Sequence, residues 1–284
     1  MPPPIPSRDG ETNAYDLFQS GAVHPRIYFV NGIRVRGKDH ALTAGLLSLL
    51  VERTIWGVYN QTAGLRMGTL VDLTQCGLDY AQNVAARLSS HRNGGVHRAI
   101  KDHEVPEILD RLFRNSIVWN KATATLVRQL VTHRKSAQRI IAHSQGNLIA
   151  SNALFVVEGL LGASALRNIR VYSLASPAPA WPLGIRKING GGGRQENAFM
   201  NDIVALLRPH NLAAKLGVNR FQNEGDFRIH PGSGAVSITP HKTKLNIALN
   251  FFKSIRNDLG LSADLPDEFL ERCAEKAQRA FAIS

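Results

Sequence analysis

Short apolar runs and helix-spaced leucines alternate along most of the chain. "RIYFVNGI" (26–33) is compact, β-branched and aromatic, and it stops at Asn31-Gly32 as a buried strand does before a turn. "DHALTAGLLSLLVERT" (39–54) spaces its leucines helically, and "IWGVYN" (55–60) is the next short strand. Leu70, Leu73, Leu78, Val84 and Leu88 recur on a roughly 3.6-residue period and predict a helix over 69–90. A broken helix is expected over 105–133, a strand over 137–144, a helix over 145–160 and a strand over 168–177. "ENAFMNDIVALL" (196–207) predicts a strand running into a turn at Asn201-Asp202. Residues 241–260 are expected to form an amphipathic helix marked by Leu245, Ala248, Leu249 and Phe252, and 262–282 another, acidic early and basic late as the helix dipole favours.

Two stretches break the rhythm. Residues 1–22, rich in Pro, Ser, Gly and Asp, read as a flexible arm or a strap, leaving 23–284 as one α/β domain. Residues 208–236 are weakly periodic and rich in Gly, Asn and Pro, which suits a hairpin or a lid-like excursion. Strands alternating with helices over one core predict a doubly wound, mostly parallel sheet flanked by helices. Such a sheet places ligands at the carboxyl ends of its strands.

Composition narrows the picture. The 284 residues are 44% hydrophobic, enough for a sizeable core, and no apolar run is long enough to span a membrane. The start of the chain has neither a basic nor an apolar region of a signal peptide, so a cytoplasmic protein, or one exported without a classical signal, is expected. Two distant cysteines, Cys76 and Cys273, indicate neither a disulfide framework nor a metal site, and "NGGGGR" (189–194) lacks the ending of a phosphate-binding loop. No cofactor is expected. A formal charge of +12 favours anionic partners, yet the basic residues are dispersed and carry no aromatic-studded nucleic-acid motif. Nucleic acid is therefore not expected, whereas peripheral contact with an anionic membrane is.

The chemistry concentrates in "RIIAHSQGNLIASNAL" (139–154), a strand that becomes a helix with Ser144 at the junction. A nucleophilic serine needs an exposed oxygen, a base, and backbone N–H groups aimed at the developing oxyanion. A sharp strand-to-helix turn supplies the first and the last, and it demands small residues two before and two after the serine. Ala142 and Gly146 meet that demand. His143, inside the turn, is expected to pack beneath it.

"A-H-S-Q-G", with "YFVNGI" upstream, resembles the α/β-hydrolase superfamily and its lipase-like members over most of 24–255, with Ala142 in place of a glycine and Asn31 in place of a histidine. The resemblance implies an oxyanion hole made by the backbone N–H groups of Gln145 and Ile33. It also implies a triad in the order serine, acid, histidine: Ser144, then Asp202, then His241. Asp226 is the alternative acid, and His230 or His210 the alternative base. Asn31, Gly32, Asn60 and Trp181 are candidates for binding substrate, and Gln61 and Thr62 lie beside Asn60. The implied activity is carboxylic ester hydrolysis through an acyl-enzyme, with lipids or phospholipids as the substrate class. Two alternatives stay open: a catalytically silent binding protein on the same scaffold, and an acyltransferase or thioesterase.

Overall fold

A computed structural model describes residues 3–19, 21, 24–33, 35–61, 68–92, 104–114, 120–174, 176, 178, 180–182, 185–189, 227–229, 236–238 and 252–282. Its centre is a six-stranded sheet built from β1 (Thr12–Tyr15), β2 (Arg26–Val30), β3 (Ile55–Val58), β4 (Gln138–His143), β5 (Ile169–Leu174) and β6 (Arg186–Asn189). The strand order is β1-β3-β2-β4-β5-β6; β1 runs antiparallel to β3 and the other five strands are parallel. A separate two-stranded antiparallel ladder joins β7 (Phe227–Ile229) to β8 (Val236–Ile238), in the region expected to hold a hairpin or a lid.

The central strands are apolar on both faces because helices cover both. In β2, Ile27 and Phe29 enter one core while Tyr28 and Val30 enter the other; β4 divides Ile141 from Ile140 and Ala142 in the same way. On the first face lie α1 (Gly37–Leu50), a helical stretch over 252–258 and the C-terminal α6 (Asp267–Ala282). Helix α1 is buried along nearly all its length, and Gly45 lets the Phe281 ring of α6 approach its backbone. On the second face α5 (Gly146–Leu161) packs against the sheet and carries α2 (Gly68–Arg92) and α4 (Lys121–Thr132), with α3 (Val105–Arg114) beside α4.

Three expectations need correction, and one strand was not expected. The N-terminal segment is a strap with a strand in it: β1 pairs with β3, Tyr15 is buried, and the Gly10 N–H donates to the Tyr59 carbonyl at 2.8 Å. The helix predicted to reach residue 54 ends at Leu50, since Glu52 turns left-handed with φ 52°. The C-terminal helix starts at Asp267, with 262–266 outside it. The unexpected strand is β6, the mostly polar Arg186–Asn189, which pairs with β5; the strand expected over 196–207 lies outside the described residues.

Crossover direction fixes where a site can lie. From β2 the chain passes through α1 to β3 on one side, and from β4 it passes through α5 to β5 on the other. The carboxyl ends of β2 and β4 therefore flank the point where the winding reverses, the place at which open α/β sheets bind their ligands. Asn31-Gly32 follows one of those ends and Ser144 the other.

Candidate active site

Ser144 occupies a left-handed backbone conformation, φ 55°, between the end of β4 and the first turn of α5. A residue with a Cβ is strained there, so the surroundings must hold it. They do so by close packing. A Cβ on Gly146 would collide with the Val30 carbonyl at the end of β2, and Ala142 is wholly buried between Val30 and Ser173 of the flanking strands. A side chain is thus excluded at Gly146, and Ala142 sits in the buried strand centre.

The β2 loop closes onto the serine. A Cβ on Gly32 would lie 2.6 Å from the Ser144 Cβ and 3.0 Å from its Oγ, so the glycine's bare backbone faces the hydroxyl. Ile33 follows, and its side chain packs with Tyr80 and Trp181 around Cys76, Leu148 and Ala178. Leu148 stands four residues beyond Ser144, so this apolar cluster begins one helical turn from the serine.

The peptide joining Ser144 to Gln145 is pinned on its carbonyl side. Both the backbone N–H of Asn147, at 3.0 Å, and its side-chain amide, at 3.1 Å, donate to the Ser144 oxygen, while the Asn147 Oδ1 accepts from Ser173 Oγ at 2.7 Å. Because the peptide is planar, the Gln145 N–H must point the opposite way. It belongs to the first turn of α5, where N–H groups lack intrahelical acceptors. The result is a fixed donor at the serine, aided by the positive end of the helix dipole.

Behind the serine lies a buried polar chain that sequence reasoning missed. Gln145 donates through Nε2 to Asp79 Oδ2 at 2.7 Å and accepts at Oε1 from Asn60 Nδ2 at 2.9 Å. Gln75 donates to the other Asp79 oxygen at 3.1 Å, and Asn120, which also caps α4, donates to Asn60 Oδ1 at 3.2 Å. Asn31 clamps the two loops: its Nδ2 donates to the Gly32 and Asn60 carbonyls, and its Oδ1 accepts from the Asn60 N–H. Burial pushes the Asp79 carboxyl up to about 6, against the lowering effect of its hydrogen bonds from Gln145 and Gln75.

The expected residues thus divide. Ser144, Gln145, Gly32 and Ile33 come together. Asn31 and Asn60, expected to contact substrate, are buried and turn both ends of their amides to protein partners. Gln61 is tied to Asp9 of the strap in both directions, at 3.1 and 3.0 Å. Trp181 packs against the core beside α5. Asp202, His241, Asp226, His230, His210 and Thr62 lie outside the described residues. Among the described residues no cluster of His, Cys, Asp and Glu is arranged to hold a metal ion, and no helix is long and apolar enough to cross a membrane. The one sequence signal that could have exposed the polar chain was the density of Asn and Gln at strand ends and helix starts: Asn31, Asn60, Asn120, Gln145 and Asn147.

No protein-family model matches the chain, and neither the curated proteins nor the solved structures contain a significant match.

Proposed function

We propose that the protein is a serine hydrolase of the α/β-hydrolase type, cleaving carboxylic esters through an acyl-enzyme on Ser144. The observation that carries this reading is the left-handed Ser144, set at the winding reversal of the sheet with Gly32 against its hydroxyl. Holding a non-glycine residue in that conformation costs about 1–3 kcal/mol, a strain that a mere strand end does not require.

In this mechanism Ser144 Oγ attacks the ester carbonyl and His241 takes its proton, with Asp202 orienting the imidazole. The tetrahedral oxyanion receives hydrogen bonds from the N–H groups of Gln145 and Ile33. Collapse expels the alcohol, which leaves with the proton from His241. Water, deprotonated by the same histidine, then attacks the acyl-enzyme; the carboxylic acid departs and Ser144 recovers its proton. The apolar cluster around Ile33, Tyr80, Trp181 and Leu148 favours an acyl chain, and the charge of +12 favours delivery from an anionic lipid surface.

One observation favours a second reading, a binding protein that keeps the scaffold without turnover: Ser144 is only 6% exposed. A fluorophosphonate probe separates the two. Wild type is expected to be labelled and Ser144→Ala is not; absence of labelling in folded wild type, or equal labelling of the variant, defeats the hydrolase reading. Turnover of p-nitrophenyl esters and anionic phospholipid vesicles then separates simple esterase from lipase activity, and transfer of the acyl group to an added thiol or alcohol would mark an acyltransferase.

A further inference from the structure

We infer that Asp79 is a positioning residue for the reaction proposed above: its carboxylate, 2.7 Å from the Gln145 amide, fixes the residue whose backbone N–H meets the oxyanion. The inference rests on the hydrolase reading and goes beyond it, because Asp79 belongs to neither the triad nor the oxyanion hole.

Donor and acceptor polarity assigns the role. An amide such as Gln145 can turn over end for end, and only its neighbours decide which end is oxygen. The backbone N–H of Ala122, which can only donate, faces Asn120 Oδ1; Asn120 Nδ2 therefore faces Asn60 Oδ1, Asn60 Nδ2 faces Gln145, and that end of Gln145 must be Oε1. The other end is then an NH2 group and requires an acceptor. An ionised carboxylate, which only accepts, is the side chain that meets both Gln145 at one oxygen and Gln75 at the other. With both ends held, the Gln145 side chain cannot rotate. With the Ser144 carbonyl held by Asn147, the intervening peptide cannot tilt. A chain of side chains from α2, through the start of α5, to the end of β3 therefore sets the direction of one N–H.

Geometry alone would allow a merely structural role for Asp79, as a cross-link between α2 and α5. Its backbone already makes such a link, since Asn152 Nδ2 donates to the Asp79 carbonyl at 2.9 Å, and Asn83 of the same helix donates to Ser151 and Asn152. The carboxylate is thus surplus to that packing. It is also a group that burial resists ionising.

Polarity makes the test specific. Asp79→Asn keeps size and shape but places an NH2 group against either Gln145 or Gln75, both donors. The double variant Asp79→Asn/Gln145→Glu restores every bond with the carboxylate moved along the chain. The new amide at position 79 donates to the new carboxylate at position 145, which also accepts from Asn60, while the oxygen of that amide accepts from Gln75. Fluorophosphonate labelling rates and steady-state hydrolysis of a short p-nitrophenyl ester are measured for wild type and the two variants, with circular dichroism confirming that each is folded. The single variant is expected to lose about ten- to hundredfold in kcat and labelling rate with little change in KM, because the misaimed N–H contacts the ester strongly only in the transition state. The double variant is expected to recover most of that loss. Wild type labelled through Ser144, with folded Asp79→Asn labelled equally fast, overturns the inference and leaves the hydrolase reading intact. A loss that the double variant does not recover also overturns it, and absence of labelling in wild type removes the hydrolase reading and this inference together.

Discussion

Gly32→Ala offers the sharpest test of how the β2 loop meets the serine. The added methyl would stand 2.6 Å from the Ser144 Cβ, 3.0 Å from its Oγ and 3.1 Å from the His143 carbonyl. Rotating the serine side chain relieves the second contact but not the first, since a Cβ moves only with its backbone. To reach an ordinary 3.4 Å contact, loop and turn must part by about 0.8 Å. The turn is wedged against Val30 and pinned through Asn147, so most of that displacement falls on the loop that carries Ile33. Overpacking of this kind costs about 1–3 kcal/mol. In a chain of this length each kcal/mol lowers Tm by roughly 2–4 °C, so the variant remains folded at room temperature. Activity suffers more, because a shift near 1 Å between nucleophile and oxyanion donors can cost about a hundredfold. The assay is the second-order rate of fluorophosphonate labelling, paired with a thermal melt. Gly159→Ala serves as control: the position is exposed on α5 with nothing near its Cβ site, so it should label normally and gain about 0.5–1 kcal/mol. Labelling of Gly32→Ala within twofold of wild type would refute the close approach of loop and serine.

Further expectations concern pH and folding. The folded-state pKa of Asp79 is raised from 3.8 to about 6, mainly by burial, with the Asp9 carboxyl of the strap adding repulsion and Gln145, Gln75 and Asn120 opposing the rise. The stability this group contributes is therefore fully present below pH 3.8 and is lost as pH rises through 6, a loss on the order of 3 kcal/mol. The Tm of Asp79→Asn relative to wild type should accordingly climb between about pH 4 and 7; a flat difference would show that the carboxyl titrates normally. His40 acts in the opposite sense. Burial among Tyr15, Phe29 and Tyr59 lowers it to about 3, so the unfolded chain takes the proton first, and stability falls as pH drops from 6.5 towards 3. His40→Phe should flatten that acid limb in a urea titration, and an unchanged limb would place the titration elsewhere. Away from the site, Asp258 binds Arg139, Arg170 and the Tyr172 hydroxyl, fastening the 252–258 helix to β4 and β5. Asp258→Ala leaves nearly buried Arg139 without that partner and should cost about 3–5 kcal/mol in chemical denaturation, with the labelling rate unchanged below the transition.

The four central strands, β2 to β5, were legible because each is short, apolar and bounded by turn residues, and the turn at Ser144 because crowding against Val30 leaves no room for a side chain at Gly146. Strands β1 and β6 were hidden for the converse reason. "TNAY" and "RKIN" are polar enough to pass for loop, and their places at the two edges of the sheet require less apolar surface than the centre. Gly32 was legible as a turn residue, but its contact with Ser144 depends on two strands adjacent in space and over a hundred residues apart in sequence. Asn31 and Asn60 drew attention for the right reason, as polar groups at strand ends, yet the sequence does not reveal that the Asn31 amide would be taken up by the Gly32 and Asn60 backbone and the Asn60 amide by Gln145 and Asn120.

Helix α2 departs from its own hydrophobic period, and the departure bears on function. Period alone places Leu78, Val84 and Leu88 towards the core, yet these are 45%, 37% and 63% exposed, while Asp79 and Asn83 are fully buried. Hydrophobic periodicity assumes that the surface awaiting a helix is apolar. Here α2 meets Gln145, Ser151 and Asn152 on α5, and the buried face must supply complementary donors and acceptors instead. Burying Asp79 and exposing three apolar side chains both oppose stability, so the phase of α2 is not the one that packing alone would select. A helix turned against its own hydrophobic pattern needs a compensating reason. Within the described residues, the polar chain that runs through the Gln145 side chain supplies it: the same rotation that exposes Leu88 brings a carboxylate to the Gln145 amide, behind the turn bearing Ser144.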